Sequence, residues 1–492
     1  MEKNIDLWYT FNIEVKIMWY GYVLIGIALI VIILIVKTLL FTDKTNYKKK
    51  VEIDEEHDDV VSKLAQLIKI PTVSYEEKEK IDFSKFQEYI EKVKELYPLV
   101  FEKCEFTQTK EYALKLKLKG KSSEKPTVLM AHYDVVPVTD GWEHDPFLGE
   151  VVNGYLYGRG TLDTKCTMAC ALSALQKALE KEYVPKNDLY LCFGSNEEVF
   201  GDSQIKIVEE FKKEGIKPAL VFDEGGGVMS KAFPGVSKDV AFLGVVEKGM
   251  ANIKLSIDGN GGHSSTPKRN GPSVRLAKAL IKLEKHPMKA KYTRTLKEQL
   301  NKMGQNASFG LKLLLANMWL FKGLVKKLFC MISSDGNALF RTTFAFTILK
   351  GGNQTNIIPN HVEAWVNVRI APYNNIDEVL KHIKKVIKDD SIKIEAFNVN
   401  KQYKECDFNS EGYEIIKDCT IETYNDTVVS PFIMLGGTDG RHYNEISDCV
   451  IRFSPMKVTN EDRKGIHGLN EKIKVEALKK CLEFYERLLT KI

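Results

Sequence analysis

Short apolar runs alternate with helical patterns through the first half of the chain. Residues 127–131, 189–193 and 219–222 are nearly uninterrupted apolar runs, which are typical of strands buried on both faces of a sheet. Residues 167–181, between the first two runs, have apolar positions at helical spacing. Strands and helices in this alternation predict an α/β domain with a mainly parallel sheet.

The pattern changes in the middle of the chain. Residues 252–257 alternate between apolar and polar positions, as a half-exposed strand does, and residues 273–283 have helical spacing. The segments that follow complete a β-α-β-β-α-β order, with strands at 343–349, 363–370 and 392–397 and a helix at 376–387. This order predicts an inserted ferredoxin-like α+β domain. Residues 311–332, inside it, look helical, apolar and basic; they either pack against the core or contact a membrane surface.

An apolar run near the N-terminus predicts a transmembrane helix. Residues 17–36 carry no charge and have Lys16 before them and Lys37 after them, and a helix of this length can cross a bilayer. A signal peptide would have a shorter apolar run and small residues at a cleavage site. We therefore predict a retained single-pass anchor. Lysines are more frequent on its C-terminal side, which favours the cytoplasmic face for the rest of the chain.

Composition narrows the class of protein. A chain of 492 residues is too long for one compact core, so two or three domains are expected. Its 44% hydrophobic and 28% charged residues are typical of a globular protein. The net charge of +5 is small and spread along the chain, so we predict no nucleic-acid partner. Nine cysteines, an odd number, lie mostly in apolar segments, which indicates buried free thiols and a reducing compartment.

Acidic and histidine residues follow the predicted buried strands directly. His132 and Asp134 follow the first strand, Glu197 and Glu198 the second, and Asp223 the third. Because parallel strands bring their carboxyl ends to one edge of a sheet, we expect these side chains to lie close together. Imidazole and carboxylate groups are ligands of catalytic zinc, and the absence of cysteine from the set argues against a structural zinc site.

Each of these motifs also has an ordinary structural explanation. Asp163, after a glycine-rich loop, has the position of a helix N-cap, and His467, between glycines, has that of an exposed histidine. Glu197 and Glu198 would usually be a solvated surface pair. At the end of a buried strand, however, two adjacent carboxylates repel each other unless a cation or a shared proton relieves them. Asp134, two residues after His132, is expected to accept a hydrogen bond from its second ring nitrogen.

Eight motifs in order resemble those of the dinuclear zinc peptidases related to ArgE, DapE, aminoacylase and carboxypeptidase S. They are residues 132–137, 158–165, 197–198, 223–226, 262–267, 356–359, 436–439 and 465–468. The resemblance extends from about residue 54 to the C-terminus. It is closest to carboxypeptidase S and the N-acyl-amino-acid hydrolases, because Asp145-Pro146-Phe147 and the insertion in the lid resemble theirs. Asn196 stands where many relatives have an acidic residue. We expect this difference to tune the general base rather than abolish it.

The resemblance implies a two-zinc site with a glutamate base. Asp163 would bridge two zinc ions per chain, His132 and Asp223 would complete one zinc site, and Glu198 and His467 the other. Glu197 would be the general base. The inserted domain would be both a lid and a homodimerisation surface. Its His263 would stabilise the oxyanion, in relatives often across the subunit interface.

Recognition of a substrate carboxylate needs a fixed cation. Arg369 is the first candidate and Arg441 is the second, because a guanidinium binds a carboxylate through two hydrogen bonds. Asn356 and the backbone of Gly437 and Thr438 are expected to line the same pocket. For Arg369 the alternative is an arginine on a strand surface that makes no contact with substrate.

These patterns predict a membrane-anchored zinc exopeptidase or amidohydrolase that cleaves the amide bond of C-terminal or N-acylated amino acids. A non-catalytic binding or scaffold protein that has kept the fold is the alternative, and a one-metal or non-zinc enzyme is another. The predicted parts are an N-terminal tail (1–16), a transmembrane helix (17–41), a linker (42–55), a catalytic domain in two parts (56–246 and 399–492) and the lid and dimerisation domain between them (247–398, with a helical insertion at about 287–340).

Overall fold

A computed structural model describes residues 2–45, 57–233, 235–400 and 404–492, with side chains from Val15 onward in the first range. Most of the predicted linker, residues 42–55, lies outside the described residues. The helices are α1 (Glu2–Leu40), α2 (Asp58–Ile68), α3 (Phe83–Leu96), α4 (Pro98–Lys103), α5 (Lys165–Glu180), α6 (Ser203–Glu214), α7 (Pro272–Lys285), α8 (Arg294–Gln305), α9 (Phe309–Ala316), α10 (Met318–Ile332), α11 (Ser334–Phe340), α12 (Ile376–Ile387), α13 (Glu411–Thr423), α14 (Gly440–Tyr443) and α15 (Val475–Lys491).

The strands are β1 (Glu105–Gln108), β2 (Leu114–Leu118), β3 (Ser122–His132), β4 (Val151–Val152), β5 (Tyr155–Tyr157), β6 (Asn187–Gly194), β7 (Leu220–Asp223), β8 (Gly227–Met229), β9 (Val240–Glu247), β10 (Gly249–Asp258), β11 (Gly262–His263), β12 (Thr343–Lys350), β13 (Ile357–Ile358), β14 (His361–Ile370), β15 (Lys393–Phe397), β16 (Val428–Met434), β17 (Val450–Arg452), β18 (Lys457–Val458) and β19 (Lys472–Lys474).

A large mixed sheet forms the centre of the molecule. Its strand order is β1-β2-β6-β3-β7-β17-β9-β8-β18, and β16 pairs with β9. The strands β6, β3, β7 and β17 at its centre are parallel, whereas β1, β2, β8 and β9 add antiparallel pairings. The apolar runs that predict β3, β6 and β7 are buried because α5 and α15 cover one face and α6 the other. This burial keeps the carboxyl ends of the central strands at a fixed edge.

A separate antiparallel sheet is formed by residues that lie, along the chain, between β9 and β16 of the large sheet. Its order is β12-β14-β10-β15, and α7 and α12 pack against it around one apolar cluster. Along the chain the elements run β10, α7, β12, β14, α12, β15, which is the β-α-β-β-α-β order that the sequence pattern predicts. Helices α8 to α11 are inserted between α7 and β12.

Helix α1 is long and apolar enough to cross a membrane. The stretch Val15–Leu40 has a mean hydropathy of 3.1 in its most apolar window, and only 6% of that window is buried against the rest of the protein. An apolar helix near the N-terminus also fits a signal sequence by length and composition. Its C-terminal end packs against α9.

Candidate metal centre

The carboxyl edge of the large sheet brings together two histidines and three acidic residues. Parallel pairing of β3 and β6 sets His132 opposite Gly194, which is directly before the turn that carries the glutamates. The Nε2 atom of His132 lies 3.2 Å from Oδ1 of Asp163, and Nε2 of His467 lies 3.0 Å from Oδ2 of the same carboxylate. The two oxygens of Asp163 therefore face two different imidazoles.

Each imidazole has a second acidic neighbour. Oε1 of Glu224 lies 3.0 Å from Nε2 of His132. Oε2 of Glu198 lies 3.0 Å from Nε2 of His467. Two groups of possible ligands result, and Asp163 belongs to both: His132, Asp163 and Glu224 form one, and Asp163, Glu198 and His467 form the other.

In the structure Glu224, and not the predicted ligand Asp223, lies beside His132. Asp223 is the last residue of β7, and its Oδ2 accepts a hydrogen bond of 2.7 Å from the backbone N–H of Gly440. Adjacent residues at a strand end project to opposite sides. The carboxylate of Asp223 therefore points towards α14, and that of Glu224 points towards His132.

Asp134 connects the histidine to the turn that carries the two glutamates. Its backbone carbonyl accepts a hydrogen bond of 3.0 Å from Nδ1 of His132, and its carboxylate Oδ1 lies 3.3 Å from the same nitrogen. The carboxylate also accepts hydrogen bonds from the backbone N–H groups of Glu197 and Glu198, both at 3.2 Å, and from the hydroxyl of Ser74 at 2.8 Å. Asp134 thus fixes the ring of His132 and the position of the turn together.

The titration of these groups reflects a dense acidic cluster whose carboxylates are largely buried. Burial raises the pKa of Glu197 well above its usual range, and it raises that of Glu224 to about 8. Burial also opposes ionisation of Asp163, but hydrogen bonds from the two histidines outweigh it and lower its pKa. Hydrogen bonds to Asp163 and Glu198 raise the pKa of His467 to about 10. The cluster therefore favours positive charge at its centre.

The donor set fits metal ions. Oε1 of Glu198 is buried and has no hydrogen-bond partner among the described residues. A buried carboxylate oxygen without a partner is costly, and a cation between Asp163, Glu198 and His467 would satisfy it. Imidazole and carboxylate groups in this combination are ligands that zinc accepts.

Three of the five predicted substrate-binding residues line one cleft beside the cluster. Arg369, Gly437 and Arg441 contribute to it, together with Lys248 and Phe200. The guanidinium of Arg441 lies 4.0 Å from Oε1 of Glu197 and connects the cleft to the acidic cluster.

The remaining predicted residues lie elsewhere. Thr438 is buried, and its hydroxyl donates a hydrogen bond of 3.0 Å to Glu247. Asn356 is exposed, and its backbone carbonyl accepts from the N–H of Ser264. His263 is also exposed; its ring contacts Ser265, and no hydrogen bond or ion pair joins it to the acidic cluster within the described ranges.

Comparison with known proteins identifies the family. Residues 128–491 match the model of "Peptidase family M20/M25/M40". The chain belongs to this family. It is 32% identical to "Probable carboxypeptidase S-like 2" of Dictyostelium discoideum over 95% of this chain and 92% of that protein. It is also 32% identical to "N-fatty-acyl-amino acid synthase/hydrolase PM20D1" of Xenopus tropicalis, over 95% of this chain and 93% of the relative.

The fold of this M20 peptidase resembles solved structures as well. The M20 family metallo-carboxypeptidase Sso-CP2 of Sulfolobus solfataricus superposes with a TM-score of 0.67 at 20% identity, covering 89% of this chain and 99% of that one. The predicted resemblance to carboxypeptidase S and N-acyl-amino-acid hydrolases is therefore confirmed. The protein is a hydrolytic metallopeptidase or amidohydrolase of the M20 family.

Two buried residues, whose supporting role the sequence analysis did not predict, hold the centre of this M20 peptidase in place. Glu471 accepts hydrogen bonds from the backbone N–H groups of Leu162 and Asp163 through Oε1, and from Gly160 through Oε2. Its Oε2 also accepts a hydrogen bond of 2.7 Å from Arg159.

Arg159 extends this support to the loop that carries the second histidine, because its guanidinium donates to the backbone carbonyl of Gly468 at 2.9 Å. One ion pair thus holds both the loop of Asp163 and the loop of His467. Arg159 lies inside a recognised motif, but nothing in the local sequence distinguishes Glu471 from a surface glutamate.

Proposed function

We propose that this M20 peptidase is a two-zinc amidohydrolase that releases an amino acid with a free carboxylate from its acyl group. The main support is the position of Asp163, whose two oxygens face two different histidines at 3.2 and 3.0 Å. His132 and Glu224 would hold one zinc with Asp163, and Glu198 and His467 would hold the other. Bound zinc would supply a Lewis acid that polarises the amide carbonyl and lowers the pKa of the attacking water.

Glu197 is the general base in this proposal. It follows β6 in the same turn as Glu198, and its backbone N–H is fixed by Asp134. Its carboxylate takes a proton from water as the oxygen attacks the amide carbon. It then returns the proton to the nitrogen as the carbon–nitrogen bond breaks, so that the free amine leaves.

Arg369 and Arg441 are the proposed contacts of the substrate carboxylate. Both line the cleft beside Glu197. Arg441 already lies near Glu197 and Asp439, at 4.0 and 3.7 Å. Arg369 donates a hydrogen bond to Asn367 at 3.2 Å and has no carboxylate partner in the described part of the chain. A free guanidinium in a cleft is suited to bind a carboxylate from outside.

The acyl group is proposed to be a lipophilic chain. A relative of similar sequence is named an N-fatty-acyl-amino acid synthase/hydrolase, and helix α1 is apolar enough for a membrane anchor. We propose that α1 is retained as a single-pass anchor and that the body faces the cytoplasm. We also propose that the inserted domain is a lid and a homodimer surface. In that arrangement, the exposed His263 would reach the catalytic centre of the partner subunit.

The decisive experiment combines metal analysis with one substitution. Purified full-length protein should contain about two zinc ions per chain. Glu197→Gln should keep the zinc and lower the turnover of N-acyl amino acids by roughly 10²- to 10⁴-fold. Glu124→Gln, at an exposed position, is the control and should change neither. Full activity in Glu197→Gln would remove the base assignment.

A substrate screen tests the class of amide. Long-chain N-acyl amino acids, short-chain N-acyl amino acids and dipeptides should be compared with and without added zinc. We expect hydrolysis to depend on zinc and to favour long acyl chains. Hydrolysis of dipeptides alone would make the protein a dipeptidase, and hydrolysis of none of them would favour the non-catalytic binding protein.

A further inference from the structure

We propose that helices α9 and α10 form a second membrane-contact surface that lies in the bilayer interface beside α1. This inference rests on the proposal that α1 crosses the bilayer, and does not depend on the proposed chemistry. The two helices expose large apolar side chains to solvent. They are Phe309, Trp319, Leu320, Leu324, Met331 and Ile332.

The exposed side chains of α10 lie along one side of the helix. Leu320, Leu324 and Met331 are spaced by four and seven residues, which places them in a line on an α-helix. Met331 is 71% exposed and Ile332 is 78% exposed, values that are costly for apolar side chains in water. A contiguous apolar surface of this kind marks a site of contact with a membrane or a partner.

Contacts with α1 fix the depth of this surface. Asn317, between α9 and α10, is fully buried, and its side-chain amide donates to the backbone carbonyl of Leu34 and to the hydroxyl of Thr38, both at 3.2 Å. Lys37 lies over the ring of Trp319, with its Nζ 5.6 Å from the ring centroid. Leu34 belongs to the charge-free run of α1. When that run crosses the bilayer, the start of α10 therefore lies at the membrane boundary, where tryptophan and lysine are favoured.

The charges on the two helices favour lipid over a protein partner. Lys312, Lys322, Lys326 and Lys327 lie on α9 and α10, which contain no acidic residue. Lys322 and Lys327 are exposed. Lysine is depleted from the cores of protein interfaces, whereas basic amphipathic helices bind anionic lipid surfaces with their apolar faces buried among the acyl chains. The occupant is therefore a bilayer that contains anionic lipid.

An open groove lies beside this surface. Its volume is about 710 Å³, and Met331, Arg341 and Thr343 are among the residues that line it. Lys248 donates hydrogen bonds to the backbone carbonyl of Arg341 at 2.9 Å and to the hydroxyl of Thr343 at 3.3 Å. It also lines the cleft of Arg369. The groove and the cleft are therefore neighbours, with Lys248 between them.

Photoreactive lipid tests the surface directly. Full-length protein is reconstituted into vesicles of phosphatidylcholine and phosphatidylserine that contain a lipid with a photoreactive acyl chain, and the adducts are mapped by peptide mass spectrometry. Adducts are expected on α1 and on residues 318–332. The exposed face of α12 and β15 is the internal control and should carry none. Adducts confined to α1 would overturn the proposal.

A matched pair of variants separates this surface from general apolar exposure. L320S/L324S/M331S replaces exposed residues of α10, and V274S/I281S replaces exposed apolar residues of α7. The first variant should lose the adducts on α10 and keep those on α1, and the second should keep both. Conversion of a dimer to a monomer by the first variant, with unchanged adducts, would assign the surface to a second copy and overturn the proposal.

Activity gives a readout that depends on the proposed function. The α10 variant should hydrolyse a soluble short-chain N-acyl amino acid at the wild-type rate, and lose the advantage that vesicles give to a long-chain one. Absence of all hydrolysis with intact adducts on α10 would contradict the proposed function and leave the membrane surface standing. Absence of adducts on α10 in the wild-type protein would contradict the proposed membrane surface and leave the proposed function standing.

Discussion

Asp223 and Glu224 are adjacent carboxylates with different surroundings. Asp223 accepts hydrogen bonds from the backbone N–H groups of Gly440 and Glu224, at 2.7 and 2.9 Å. Glu224 lies 3.0 Å from His132. The first carboxylate therefore holds α14 against the end of β7, and the second is available to a metal ion.

We predict that Glu224→Gln lowers the zinc content of the purified protein from about two ions towards one. An amide is a poor replacement for a carboxylate ligand, so the site of His132 loses affinity. Asp223→Asn, the matched control, should keep about two ions and lose only stability. Metal analysis after dialysis against a weak chelator measures both. The reverse result would return Asp223 to the ligand set.

Arg369, which lines the cleft, gives a prediction about substrate binding. Arg369→Lys should raise KM for N-acyl amino acids by roughly 10- to 100-fold, because a hydrogen bond to a charged group contributes about 1.5–3 kcal/mol. kcat should change little, since Arg369 makes no contact with the acidic cluster in the described residues. Steady-state kinetics on the substrate and on its carboxyl amide provide the measurement. An equal loss on both substrates would show that Arg369 does not bind the carboxylate.

A buried ion pair holds together the two loops on either side of the centre. The loop before α5 carries Asp163, and the loop before β19 carries His467. Glu471 and Arg159 connect the two loops through backbone hydrogen bonds and their own ion pair of 2.7 Å. Both side chains are almost fully buried. A buried pair of this kind is stable only while both partners remain, because the lone charge would be left without compensation.

Glu471→Gln should therefore lower zinc affinity as well as stability. Loss of residues that orient ligands typically costs 10- to 100-fold in metal affinity, and we expect a decrease of that order. Glu483→Gln is the control, because Glu483 is buried in an ion pair with Arg487 on α15 and lies outside the centre. Both variants should unfold at lower temperature. Only the first should release zinc more easily in a competition with a chromophoric chelator.

Local patterns predict some of these elements and not others. The strands β3, β6 and β7 are predictable because both faces are buried, which leaves continuous apolar runs. The position of β9 in the sheet is not, because β9 also pairs with β16 and β17, which are distant in the sequence. The position of Glu224 depends on where β7 ends and the glycine turn begins, and a one-residue difference exchanges the two carboxylates. Arg159 and Glu471 are separated by 312 positions, so no local signal connects them.

At the scale of the whole molecule, metal should contribute to stability. Glu197, Glu198 and Glu224 share one buried edge with Asp163, and burial raises the pKa of all three glutamates. Without a cation, ionised carboxylates that share one buried edge repel each other. A metal present at about 1,000 times its dissociation constant stabilises the folded state by about 4 kcal/mol. Chelation should therefore lower the Tm, and added zinc should restore it. An unchanged Tm, with zinc removal verified, would exclude this contribution.

The side of the membrane on which the body lies is the last prediction. Lys37 and Lys44 follow the apolar run of α1, with more lysines beyond them, whereas the short N-terminal tail also carries acidic residues. By the positive-inside rule, we predict that the body lies on the cytoplasmic side. Asn353 and Asn425 are exposed and start Asn-x-Thr acceptor sequences, which receive glycans only in a secretory lumen. When the protein is expressed in a eukaryotic cell, endoglycosidase treatment should not change its electrophoretic mobility. The same treatment should change the electrophoretic mobility of a version with an acceptor sequence added before Met1. A shift of the wild type that Asn353→Gln or Asn425→Gln abolishes would place the body in the lumen.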